Sequence, residues 1–188
     1  VLIFPDGNVS GEIDSVQVDR LKEWIQAGGT LIATERSASF FTESQSGLTS
    51  VELVSIQESE AEDSDEIPAR FYTSYEARGD STGLRRIPGS AMRTKMDTSH
   101  PLAFGLGDEL YSLKFGTDAL KPDANLQTVG YYYPDADNVL VSGYASAENR
   151  RKLAGNTFAG TVSMGQGHVV FLLDNTQYRM FWVGPARM

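Results

Sequence analysis

The 188-residue sequence contains no cysteine, which excludes disulfides, thiolate metal sites and a cysteine nucleophile together. Histidine is nearly as scarce: His100 and His168 are the only two. No apolar run approaches the about 20 residues needed to cross a bilayer, so a membrane is not an expected partner. Positive charge is also short, with 16 Lys and Arg against 25 Asp and Glu and a net charge of −9. Nucleic-acid binding, which relies on cations to neutralise phosphates, is not expected either. An initiating methionine is missing as well. The chain opens at Val1 inside an expected strand and is read as a piece of a longer polypeptide. Cysteine-free domains occur on both sides of a membrane, so these absences leave the compartment open.

Hydrophobic residues make up 40% of the chain and aromatics 10%, a composition that folds rather than one that stays disordered. The length suits one sizeable domain over residues 1–188. Its organising stretch is Leu21-Lys-Glu-Trp-Ile-Gln-Ala-Gly-Gly-Thr-Leu-Ile-Ala-Thr34. Val18, Leu21, Trp24 and Ile25 share a helical face. Asp14 and Gln17 have capping-box spacing at the start of that helix. Gly28 suits the left-handed conformation that ends one. Leu31-Ile-Ala33 is then a short run of the kind buried on both faces of a parallel sheet, and Val1-Leu-Ile-Phe4 is a second. Together they form one βαβ unit with a right-handed crossover.

Further along, Glu35 to Phe41 should leave the sheet edge and start a helix, with a Ser/Thr/Gly-rich loop over 42–50. Val51 to Ile56 reads as a strand or short helix. Glu58, Glu60, Glu62, Asp63, Asp65 and Glu66 crowd one stretch. Acidic loops can bind calcium, but this one lacks the EF-hand glycine and Asp-x-Asp start, so it is read as a solvated loop. Residues 70–75 have strand-like content, and 76–90 read as irregular connection. Residues 42–95 together are expected to be an insertion or β-rich elaboration on the core sheet. Strands are expected at 91–96, 111–115, 129–133 and 139–142, and a helix at 145–153 with Ser146 as cap. A hairpin follows, 157–163 with 168–173, and an aromatic segment at 178–182 closes the chain.

Three places have residue types that could carry chemistry. Glu35, Arg36 and Ser37 stand where strand passes to helix, the place of a nucleophile elbow, although Thr34-Glu-Arg-Ser-Ala38 lacks the Gly-x-Ser-x-Gly glycines. His100 follows Asp97 and precedes Pro101, so it could act as a base, or simply hold a turn. Neither His-x-x-Glu nor His-Glu-x-x-His occurs, and no metal site is expected. Pro5-Asp6-Gly7 closes the first strand, and its backbone N–H groups could hold an anion; Asp6, Gly7 and Arg36 are the candidate binding residues. Tyr131, Tyr132, Tyr133 and Tyr144 could face a sugar, or pack in strand and core.

In their order, Val1-Leu-Ile-Phe-Pro-Asp-Gly7, the 21–32 segment and Gly165-Gln-Gly-His-Val-Val-Phe171 resemble the class I glutamine amidotransferase-like fold. More narrowly, the segments 92–111 and 141–155 resemble the C-terminal domain of large bacterial zinc carboxypeptidases. The resemblance implies a three-layer α/β/α domain with a mainly parallel, flavodoxin-like sheet. It also implies a periplasmic or secreted location and an N-terminal peptidase domain as partner in the same chain. That absent domain would hold the zinc, so no cofactor is expected here. In working amidotransferases a cysteine stands at about the place of Glu35, and a late His-Pro-Glu completes the triad. Here the only His-Pro is His100-Pro101, too early and followed by Leu102. The resemblance therefore implies a noncatalytic accessory domain that supports assembly or substrate presentation. The alternatives are an amidotransferase-like hydrolase using Ser37 or Glu35 with His100, and a small-ligand or sugar-binding module.

Overall fold

In a computed structural model, residues 1–54 and 86–176 are described. The elements run β1 (Leu2–Phe4), α1 (Ser15–Gln26), β2 (Thr30–Thr34), α2 (Glu35–Phe40), β3 (Pro88–Met96), β4 (Glu109–Phe115), β5 (Gln127–Tyr132), β6 (Leu140–Ser142), α3 (Ala147–Leu153), β7 (Thr157–Met164) and β8 (Gly167–Leu172), with a 3-10 turn at Pro101–Ala103. Among the described residues the strands form one sheet of order β1-β2-β8-β7-β5-β3-β4, with β6 paired to β3.

The βαβ unit forms as its pattern demands. Asp14 accepts from the Gln17 N–H and the Gln17 side chain accepts from the Asp14 N–H, completing the capping box. Val18 and Ile25 are buried while Leu21 and Trp24 pack partly buried against the same cluster. After the helix, Gly28 takes a φ of 112°, a conformation costly for any residue with a Cβ. β2 then runs parallel to β1 and to β8. Both faces of β8 are covered: Val169 and Phe171 join the cluster under α1, and Val170 and Leu172 join a second that contains Leu153 of α3.

The mainly parallel three-layer α/β/α architecture is not what forms. Only β1–β2 and β2–β8 pair in parallel; β3–β4, β3–β5, β3–β6, β5–β7 and β7–β8 are all antiparallel. Among the described residues only three short helices accompany this mixed eight-stranded sheet. The physical reason lies in the connections. A parallel crossover needs a dozen or more residues, usually a helix, between strands. Met164 and Gly167 instead close a tight hairpin, and β4 runs back along β3 after a connection that holds only a 3-10 turn, Pro101–Ala103.

Other expectations shift with it. Val1, Leu2 and Ile3 are 79%, 44% and 65% exposed, because β1 is an edge strand paired only to β2. β3 begins at Pro88, inside the stretch read as irregular. Within 51–54, the described part of the segment from Val51, Leu53 makes one isolated bridge to Leu120. β6 is a short side strand with Val141 half exposed. The acidic stretch 58–66, the strand-like 70–75 and the aromatic 178–182 lie outside the described residues.

Candidate functional site

The three parallel strands end on one edge and deliver three chain segments there. β1 leads into Pro5-Asp6-Gly7, β2 into Glu35-Arg36-Ser37, and β8 into Asp174-Asn175. β4, from the antiparallel half, brings Lys114 to the same place. Glu35 has a φ of +49°, the one positive φ outside glycine among the described residues. Such a conformation is uncommon for a residue with a Cβ, and at a strand-to-helix turn it is the posture of an elbow. So the elbow forms without its glycines, and it carries a carboxyl group.

The Glu35 carboxyl accepts from Asn175 Nδ2 at 3.0 Å. Burial pushes its pKa above the ordinary glutamate value, and the Asp6 and Asp174 carboxylates add to the rise against a partial offset from Lys114 and Arg36. Arg36 grips Asp6 with two side-chain bonds, Nε to Oδ1 at 2.9 Å and Nη2 to Oδ2 at 3.1 Å, and its backbone N–H also donates to Oδ1. The Arg36 guanidinium holds the Asp6 pKa below its usual value. With Arg36 68% exposed, the pair adds little stability. Ser37 is fully buried, and its hydroxyl donates to the Pro5 carbonyl at 2.6 Å. It also approaches the Gly7 carbonyl at 3.4 Å. The turn after β1 thus turns two of its carbonyls toward Ser37.

Neither histidine reaches this edge. His100 caps the 3-10 turn, its Nδ1 accepting from the Leu102 N–H at 3.1 Å. His168 stands at the start of β8, the strand's opposite end, with Nδ1 3.3 Å from Ser163 Oγ. The expected pairing of Ser37 or Glu35 with His100 is absent. The four tyrosines do not converge either: Tyr132 is fully buried and Tyr144 is 42% exposed, while the Tyr133 ring lies 4.1 Å under Arg93. Among the described residues no three His, Asp or Glu side chains are placed to hold a metal ion.

Beneath the elbow lies a group that the sequence reading missed. Lys114 and Asp174 are 1% and 0% exposed and 3.1 Å apart. Lys114 Nζ also donates to the Asp118 carbonyl at 2.5 Å. Tyr132 Oη donates to Asp174 Oδ1 at 2.5 Å, and Ser112 Oγ donates to Asp174 Oδ2. Burial and the Asp174 carboxylate push the Tyr132 phenol well above its usual range. One signal was available: Ser112 and Lys114 are alternate residues of one strand, so they share a face. That face is the buried one, and Tyr111 and Phe115 point outward.

A cavity of about 140 Å³ opens here, its lining including Asp6, Glu35, Arg36, Ser39, Lys114 and Asp118. A second, of about 330 Å³, shares Arg36, Ser39 and Asp118 with it.

No protein-family model and no curated protein matches the chain. Among solved structures, a cytoplasmic protein from Salmonella typhimurium aligns at 11% identity and a TM-score of 0.49, over 98% of this chain and 66% of its own. A ThuA-like protein from Bacteroides uniformis aligns at 9% and 0.44, over 92% and 59%. A β-galactosidase from Bacillus circulans aligns at 11% and 0.41, over 92% and 18%. The chain therefore spans only part of each. Likenesses this distant say nothing of activity.

Proposed function

We propose that this chain is a noncatalytic accessory domain of a larger enzyme, a zinc carboxypeptidase, and supports its assembly or substrate presentation. The parent rests on motif resemblance alone; the noncatalytic part has a geometric support. The candidate nucleophile at the strand edge, Ser37 Oγ, is buried and donates to a backbone carbonyl. Its partners are the Pro5 and Gly7 carbonyls, and nucleophilic catalysis needs a general base in hydrogen-bond distance of the hydroxyl. Zinc, and the chemistry it supplies in polarising a carbonyl or activating water, would belong to the peptidase domain of the parent.

The test compares the full-length parent with a form lacking this domain, and assays this chain alone on glutamine and on peptides. The expected result is no turnover by the isolated chain and reduced peptidase output from the truncated parent. Turnover by the isolated chain that disappears in Ser37→Ala would remove the noncatalytic reading. A reading frame without a peptidase domain would remove the parent.

A further inference from the structure

The Asn175 N–H donates to the Leu113 carbonyl at 3.1 Å, and these two residues form an isolated antiparallel bridge. In an antiparallel pair, the residue after one partner stands opposite the residue before the other. Lys114 and Asp174 are those two residues, so the bridge sets their side chains directly across from each other. Both are buried, with Nζ 3.1 Å from Oδ1. The polar atoms of the pair have fixed neighbours. Nζ donates to the Asp118 carbonyl at 2.5 Å. Tyr132 Oη donates to Oδ1 at 2.5 Å, and Ser112 Oγ donates to Oδ2. An amine and a carboxyl held in this way are reactants as well as an ion pair. Well-oriented groups in one molecule can reach an effective concentration of about 10⁵–10⁸ M. Two buried charges are also costly to keep out of water, and a neutral amide removes that cost.

We propose that Lys114 and Asp174 condense to an intramolecular isopeptide bond that ties β4 to the segment leaving β8. The ion pair is the state from which the bond forms. A first proton passes from Nζ to Oδ1, which frees the amine lone pair to attack Asp174 Cγ. The Nζ–Cγ bond forms, a second Nζ proton follows the first, and the Cγ–Oδ1 bond breaks to release water. The third proton stays on the amide nitrogen and keeps its bond to the Asp118 carbonyl. Atoms and charge balance within the pair, so the step needs no oxidant and no co-reactant. Oδ2 becomes the amide oxygen. The Ser112 hydroxyl that donates to it stabilises the charge that develops there in the tetrahedral intermediate. Lys114 lines the cavity of about 140 Å³ beneath the elbow, which gives the water an exit, and Glu35 on the same cavity can relay protons. The bond closes the chain between positions 114 and 174, the constraint that a disulfide supplies in proteins with cysteine. It is one self-modification with no turnover of substrate, so it does not depend on the accessory reading.

The test is the intact mass of the folded chain, measured after denaturation, followed by tryptic peptide mapping. The expected mass is lower than that of the sequence by one water, with a branched peptide that joins Lys114 to Asp174. Lys114→Arg, which keeps the positive charge, and Asp174→Ala should each show the full sequence mass. A folded native chain that keeps its full mass after prolonged incubation at neutral pH overturns the proposal. That measurement is made on the native chain, so it stands even where a variant fails to fold. A lost water mapped elsewhere, such as to a succinimide at Asp6-Gly7, overturns the proposal too. So does a Lys114→Arg chain that loses the same water.

Discussion

Glu35 combines two costs at one position, a backbone with φ of +49° and a half-buried carboxyl among other carboxylates. A non-glycine residue in the left-handed region is strained by about 1–2 kcal/mol. Part of that is offset in a glycine variant by the extra freedom of its unfolded chain. Glu35→Gly is accordingly expected to raise stability by about 0.5–1 kcal/mol, read from urea unfolding midpoints. The carboxyl also sets a pH dependence. Its folded pKa lies above the ordinary glutamate value, so its stabilising contribution is complete below that ordinary value. The contribution is lost as pH rises through the folded pKa. The stability of the native chain relative to Glu35→Gln should therefore fall as pH rises from about 4 toward neutrality. A difference that stays flat over that range, or that grows in favour of the native chain, would contradict the assignment.

Two elements, β4 and the end of β8, are joined through the buried Lys114–Asp174 pair, to which Tyr132 of β5 also donates. Removing one member of such a pair leaves the other charged and buried, at a cost of about 3–5 kcal/mol. Asp174→Ala also strands the hydroxyls of Tyr132 and Ser112, so its loss should reach the upper part of that range in chemical denaturation. Replacing both charges by apolar residues should cost much less. A second junction is the close approach of α1 to the β7–β8 hairpin. A Cβ on Gly167 would lie 2.0 Å from the Ile25 carbonyl oxygen and 2.1 Å from that of Gly29. Both are backbone atoms that cannot swing aside. Gly167→Ala is expected to destabilise by about 1–3 kcal/mol or more, whereas Gly11→Ala, with nothing within 4 Å, should be nearly neutral in thermal unfolding.

Across the whole molecule, burial rises from the sheet's edge toward its middle. β1 is exposed at Leu2 and Ile3 and paired on one side, whereas β8 sits between β2 and β7 with both faces covered. Local opening free energies follow burial and pairing. Amide hydrogen exchange should therefore be fastest at Leu2–Phe4 and slowest at Val169–Phe171. Equal protection of the two strands would mean that something covers β1 in solution. An apolar edge strand with exposed Val1, Leu2 and Ile3 is a surface that proteins normally guard, which makes this measurement informative about how the strand is used.

Local chemistry alone determined much of this protein. The capping box at Asp14, the glycine stop after α1, the βαβ unit and the β7–β8 hairpin were all legible, because each depends on residues within a few positions of one another. The candidate edge at Asp6, Glu35, Arg36 and Ser37 was legible too, since strand ends can be read from apolar runs. Sheet direction was misjudged, although alternation in Ala91–Met96 favours a half-covered antiparallel strand over a parallel one. What Ser37 does there, and the pairing of Lys114 with Asp174, only the tertiary structure decided. Those partners lie 32 and 60 residues apart or more, and no local pattern reports whether a polar face turns toward solvent or toward an opposite charge.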